Sequence, residues 1–222
     1  NLSQVTVRPV EPTEESRFQE MMKEYHHLGA LPKIGNTVWY VVTCNNEWLG
    51  LLSFSASALK CGARDRWIGW GHRLQYDWLH LVANNSRFLI LPHCHHKNLA
   101  STILSLCKHR IQRDWLVRFG FPLLLLETFV DPTRFVDTIS IAQQIGLAGK
   151  TKGYQRIRNG YSAARKTSKL VFVQPLQRNA RLISSGSSLP LPYVKGASKL
   201  KLTANQMRSL PDFFKQIHFS IS

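Results

Sequence analysis

Glu127 is the carboxylate in this sequence best suited to acid–base chemistry. It follows four leucines, Leu123 to Leu126, near the end of what reads as a central strand, where α/β folds place their chemistry. Desolvation there raises a carboxyl pKa and fits it for general acid–base work. The alternative is a buried brace paired with an arginine such as Arg134 or Arg87, since buried carboxylates are normally paired. Asp131 is either a second catalytic carboxylate or the cap of a helix opened by Pro132 and Thr133. The segment His93-Cys94-His95-His96-Lys97-Asn98 precedes a long helix, whose N-terminus attracts anions. It holds no glycine for close backbone approach to a diphosphate, so no cofactor is expected there. It also offers zinc-ligand types, with Cys107 and His109 nearby. Adjacent ligands diverge, however, and Cys107 falls on an apolar stripe, so no metal site is expected.

Two further stretches suit polyanions. Arg64, Arg66, Trp67, Trp70, Arg73 and Trp78 interleave cations with indoles, as a surface that grips phosphates and stacks bases would. The alternative is a pair of core tryptophans among solvated arginines. Lys150, Lys152, Tyr154, Arg156, Arg158, Tyr161, Arg165 and Lys166 form a second basic and aromatic loop. With Arg87, Lys97, Lys108, Arg113 and Arg134 these define the candidate nucleic-acid-binding set.

The charge distribution agrees. The 222 residues carry 29 Lys and Arg against 13 Asp and Glu, for a net charge of +16. Residues 1–60 hold 5 basic and 6 acidic side chains, residues 61–150 hold 11 and 6, and residues 151–222 hold 13 and 1. A near-neutral head and a basic tail imply a polyanionic partner, nucleic acid before an anionic membrane, and DNA before RNA. No run approaches the roughly 20 apolar residues of a membrane span. The opening Asn1-Leu2-Ser3-Gln4 has no signal-peptide pattern, and four scattered cysteines suit a reducing cytoplasm.

These side chains need a scaffold. Val5, Val7 and Val10 alternate as a short strand, and Thr13 N-caps a helix carrying Phe18, Met21, Met22 and Tyr25 up to Gly29. Thr37–Thr43 and Trp48–Phe54 form a hairpin turning at Asn45-Asn46. Residues 60–78 read as irregular, Asn84-Asn85 as a turn, and Arg87–Leu91 as a buried strand. Asn98 caps a helix with Leu99, Ile103, Cys107 and Ile111 on one stripe, ended by Gly120. Pro122–Phe129 is a strand apolar on both faces, a helix runs from Thr133 to about Ile145, and Lys169–Val173 is the last strand. The order β–α–β–β–β–α–β–α–β predicts an α/β fold: a single mixed β-sheet with crossover helices. Residues 1–175 form this domain. Residues 176–222 are a basic C-terminal tail, with a linker over Gln177–Ser198 and a short helix over Thr203–Ile217.

The element order resembles the N-acetyltransferase (GNAT) superfamily. There a strand, a loop and a helix N-terminus bind the coenzyme A diphosphate, and a second strand and helix follow. Here those parts are Arg87–Leu91, His93–Lys97, Asn98–Gly120, Leu123–Phe129 and Thr133–Gly149. A closer resemblance, over about residues 18–175, is to the Druantia protein DruA family of anti-phage systems and transposase fusions. It rests on Tyr25-His26-His27-Leu28-Gly29, Leu49–Phe54, Ala63–Trp70, Asn84–Pro92, Asn98–Ser101, Asp114-Trp115, Leu126–Asp131 and Arg134-Phe135. Where that family reads Gly-Thr-Cys-Tyr and then Ala-Asn-Trp, this chain has Asp137-Thr138-Ile139-Ser140 and Gln143-Gln144-Ile145. Any chemistry of that Cys or Tyr is therefore absent here. Leu210–Ile217 is similar to the opening of a domain that precedes a transposase catalytic core, so the chain reads as the N-terminal part of a mobile-element protein.

The resemblances imply a nucleic-acid-binding domain of a mobile element or defence system, with a transposase or defence protein as a further partner. The alternative is a GNAT-like acyltransferase or nucleic-acid-modifying enzyme with Glu127 as general base.

Overall fold

A seven-stranded sheet in the order β1-β2-β3-β4-β5-β9-β6 organises the chain. This computed structural model describes residues 2–33, 35–94, 96–134, 146–153, 156–157, 160–161, 168–190 and 193–194. The strands are β1 (Thr6–Pro9), β2 (Thr37–Cys44), β3 (Glu47–Ala56), β4 (Val82–Ile90), β5 (Leu125–Val130), β6 (Leu147–Lys150) and β9 (Leu170–Pro175). The two-residue strands β7 (Arg156–Ile157) and β8 (Gly160–Tyr161) pair separately. All neighbours in the large sheet are antiparallel except β4 and β5, which are parallel and joined through α4 (Leu99–Phe119). The sheet is therefore mixed, with a helical crossover, as the element order predicts.

The two faces bury different helices. On one, α1 (Glu15–Tyr25) sets Phe18 in a stack on Trp39, ring centroids 4.7 Å apart. On the other, α4 buries Leu99, Ile103, Cys107, Ile111 and Trp115, the predicted stripe extended by one turn. Tyr40, next to Trp39, points to this second face and donates to Asp114 Oδ2 at 2.9 Å. Burial and the Asp114 charge push its phenol above the usual range. The α1 face continues over β5, β9 and β6, where α2 (Gly62–Ile68) and α3 (His72–Trp78) lie.

Several local expectations change. Residues 60–78 are not irregular: they form α2 and α3, joined at Gly69 with φ of 93°. Thr13 is not a cap. Glu11 and Glu14 close a capping box around the turn Pro12–Glu14 instead. Asn98 holds the cap position of α4 with φ of 65° and makes no side-chain cap. Its carbonyl instead receives both the amide and the hydroxyl of Thr102 at 3.0 Å. Asn45-Asn46 turns the hairpin as read, both with positive φ. The linker assigned from Gln177 starts with a helix, α5 (Ala180–Ser185), buried at Ala180 and Ser184. It is docked because Trp70 Nε1 donates to Ser184 O at 2.6 Å and Arg181 lies 5.2 Å over the Trp67 ring. The predicted helix through residues 135–145 and the tail helix at 203–217 lie outside the described residues.

The most consequential change is at Asn84-Asn85, which is no turn but the middle of β4. Ser53 pairs with Arg87 and Phe54 with Asn85, so Ser86 is an extra residue in β4. Its hydroxyl donates to Ser53 O at 3.2 Å, fixing the bulge. A bulge bends its strand and sharpens the twist. β4 and β5 pair only from Val82↔Leu125 to Asn85↔Thr128, and they part where the bulge begins.

Candidate functional site

The parting leaves a notch. Beyond it, Arg87–Ile90 pair with β3 and Phe129–Val130 with β9, so the inner edges of both strands have no strand partner among the described residues. On the α4 face a cavity of about 250 Å³ opens beside it. Phe54, Asn85, Thr128 and Phe172 are successive cross-strand neighbours on its wall, and Ser101, Leu104, Ser105 and Lys108 of α4 face them at helical spacing. The Oδ1 of Asn85 is buried there with no hydrogen-bond partner. An orphan buried acceptor calls for a donor.

Glu127 belongs to the opposite face. Its neighbours in register are Asn84 and Val173, and its side chain lies under α2 with 0% exposure. Arg64 Nη1 donates to its Oε1 at 3.2 Å and its Oε2 at 3.3 Å. Arg64 is itself fully buried. Its remaining donors reach Ala58 O at 2.9 Å, Leu59 O at 3.1 Å and Asp65 Oδ1 at 2.9 Å. Burial pushes the Glu127 carboxyl above 4.5, and the Arg64 charge pulls it back. A carboxylate this enclosed cannot meet a substrate, so its geometry is that of a brace joining α2 to β5. The partner is Arg64, not Arg134 or Arg87. Asp131 accepts from Thr133, through the amide at 3.0 Å and the hydroxyl at 2.6 Å, and these bonds hold its carboxyl below the ordinary range. That is the geometry of a cap.

The cation–indole strip divides in the same way. Arg64, Trp70 and Trp78 are core, and a guanidinium with no exposed surface cannot reach a phosphate. Trp67 is half-buried, while Arg66 and Arg73 are exposed. Arg73 lies 3.8 Å from Asp77. Lys97, Lys108, Arg113, Arg134, Lys150 and Lys152 are exposed. Arg156 lies in β7, whereas Tyr154, Arg158, Arg165 and Lys166 fall outside the described residues. Cys94 and Cys107 are buried, and burial raises both thiols, Cys107 to about 12. Among the described residues no three His, Cys, Asp or Glu side chains are grouped to hold a metal ion.

Sequence reasoning missed a group at the mouth of the notch on the α1 face. Arg87, half-buried just after the bulge, donates Nε to Gly29 O at 3.1 Å and Nη1 to Ser86 O at 2.7 Å. It thereby ties the loop after α1 to β4. In that loop His26 and His27 stack, with centroids 4.6 Å apart. Burial, with His27 and Arg87 nearby, lowers His26 to about 4. Burial and the charges of Arg134, Arg87 and Lys169 lower His27 below 6.5, against a smaller opposing pull from Asp131. His27 is therefore neutral at neutral pH. The signal available was His26-His27 beside Gly29, which carried no meaning until Arg87 was placed next to it.

The strand–loop–helix–strand unit β4–α4–β5, which opens a notch between parallel strands, belongs to a mixed α/β domain. Residues 1–174 match the Druantia protein DruA family, and the chain belongs to that family. No curated protein matches it. Among solved structures it is similar to the ribosomal-protein-S18-alanine N-acetyltransferase from Escherichia coli. The identity is 11% and the TM-score 0.49, over 84% of this chain and 99% of the other. It is also similar to an acetyltransferase from Salmonella typhimurium that modifies the N-terminal serine of ribosomal protein L7/L12. There the identity is 12% and the TM-score 0.49, over 80% and 98%. A third is AAC(6')-Ib in complex with ribostamycin and coenzyme A, at 16% identity and TM-score 0.48 over 83% and 99%. Among the described residues no helix is long and apolar enough to cross a membrane.

Proposed function

We propose that the domain binds an acyl thioester of the coenzyme A type in the β4/β5 notch and transfers its acyl group to an amine or hydroxyl acceptor. The observation that carries this reading is the parting of the two parallel strands beside a cavity lined by Asn85, whose buried Oδ1 has no hydrogen-bond partner among the described residues. An extended arm with amide groups can bond to unpaired strand edges as an added strand does, and one of its N–H groups would satisfy Asn85. The thioester supplies an activated acyl carbon. The chain would orient the arm through Asn85 and the strand edges. The neutral imidazole of His27 at the mouth is suited to accept the acceptor's proton. Glu127, the base suggested by sequence, is braced to Arg64 and takes no part. The loop over residues 93–98 has no glycine, so side chains such as Lys97 would meet the diphosphate.

Calorimetry with acetyl-coenzyme A tests this. Binding is expected, and Asn85→Leu should weaken it about tenfold, the worth of one hydrogen bond to a buried acceptor. No heat up to millimolar ligand removes the acyl-transfer reading. A second reading, nucleic-acid binding without chemistry, is favoured by the net charge of +16 and by exposed Lys97, Lys108, Arg113, Arg134, Lys150 and Lys152. In that reading the domain would serve a mobile element or an anti-phage system, beside a transposase or defence partner.

A further inference from the structure

We propose that the two lips of the notch on the α1 face form a phosphate site for the backbone of a nucleic-acid strand, with Arg87 on one lip and Arg134 and Lys169 on the other. The inference deepens the nucleic-acid reading and rests on it.

Arg87 follows the bulge where β4 leaves β5. Lys169 extends the β5–β9 ladder by one position beyond Val130↔Leu170, and so falls opposite Asp131. Arg134 follows in the turn whose amide bonds to Asp131 O at 3.2 Å. Arg87, Asp131 and Lys169 thus fall at the same end of β4, β5 and β9, beyond the last β4–β5 pair Asn85↔Thr128, which gathers both lips around one opening. The lowered pKa of His27 beside the three cations agrees.

The charges of this group do not cancel. Arg87 is a half-buried guanidinium whose bonds go to neutral carbonyls of Gly29, Leu28 and Ser86. Among the described residues burial alone acts on its pKa, lowering it. Neither Arg134 nor Lys169 forms an ion pair among the described residues. The one acid of this group among the described residues, Asp131, has Oδ1 committed to Thr133. A partly desolvated cation without a counter-ion is costly, and an arriving anion relieves that cost. Arginine forks match phosphate oxygens in pairs. Several cations set along an open cleft suit a chain of phosphodiesters better than a single small anion. The chain's net charge of +16 would draw such a polymer in.

The test measures fluorescence anisotropy of a labelled single-stranded 20-mer oligodeoxynucleotide against wild type, Arg134→Gln, Lys169→Gln and the double variant, across a salt series. Both side chains lie outside the packed core, so folding is retained, and a thermal melt of each variant verifies it. Each substitution should lower the slope of log K against log salt by about 0.7, the single-strand value for one phosphate contact. By the same counterion arithmetic, each should weaken binding about fivefold at 0.1 M salt. Arg118→Gln, which removes one exposed charge from the last turn of α4, on the other face of the sheet, should change neither. Wild type that fails to bind refutes the nucleic-acid reading itself. Wild type that binds while the variants behave like Arg118→Gln refutes only this site. Equal competition by polyglutamate at matched charge would overturn the phosphodiester assignment.

Discussion

Substituting Arg64 or Glu127 separates a structural brace from a catalytic acid. Glu127→Gln keeps the side-chain shape and one acceptor but removes the charge facing Arg64 Nη1, which lies 3.2 and 3.3 Å from the two carboxylate oxygens. Arg64 keeps a counter-ion in Asp65, 2.8 Å from Nη2, so it is not left wholly uncompensated. The cost is then that of weakened charged hydrogen bonds, about 1–3 kcal/mol, or about 3–10 °C in Tm for a domain of this size. Arg64→Met strands the carboxylate instead, with 0% exposure and no cation, and should cost about 3–5 kcal/mol. The pH dependence follows from the direction of the pKa. In that variant the Glu127 pKa lies still further above its unfolded value of about 4.5, so the folded state holds the proton more tightly. The penalty is therefore full above the folded pKa and fades as pH falls toward 4.5. Melting curves at pH 8 and pH 5 should show the Arg64→Met deficit shrinking at the lower pH. Arg64→Met with Glu127→Leu should recover part of the loss, because the two residues are coupled. An unchanged melt for Glu127→Gln, with acyl transfer abolished, would refute the brace and restore Glu127 as a base.

Two other perturbations test the scaffold. A Cβ on Gly50 would stand 2.7 Å from Leu89 O, where β3 meets β4. Gly50→Ala should therefore cost about 1–3 kcal/mol in urea unfolding, whereas a neutral result would mean the two strands separate easily. Arg8 Nη1 and Nη2 each bond a Glu14 oxygen at 2.6 Å and lower that carboxyl to about 2. This pair's contribution, no more than about 1 kcal/mol for a partly exposed pair, is present above pH 4.5 and lost as pH falls toward 2. Acid titration of Arg8→Gln should lack that component.

The elements legible in the sequence are those whose signals are local. α4 announced itself through Leu99, Ile103, Cys107 and Ile111 and stopped at Gly120, whose φ of 85° suits a left-handed cap. The β2–β3 hairpin was set by β-branched and aromatic runs around Asn45-Asn46, and β5 by four leucines. With one crossover helix, these sufficed for a mixed α/β sheet. What failed was every polar residue whose meaning depends on a distant partner. Asn84-Asn85-Ser86 has the composition of a turn, yet it forms the bulge that opens the notch, because Ser53, more than thirty residues earlier, accepts from Ser86. Arg64 resembled a phosphate contact and Glu127 a base until packing brought them together across 63 positions of sequence. The strip at Trp67 and Trp70 looked like a surface because α5, which covers it, comes from a segment composed like a linker. Periodicity is written in neighbouring residues, so the chain alone determines strongly patterned elements such as α4, β5 and the β2–β3 hairpin. Whether a charged or amide side chain is a brace, an orphan acceptor or an open cation depends on which groups desolvate it, and tertiary structure alone decides that.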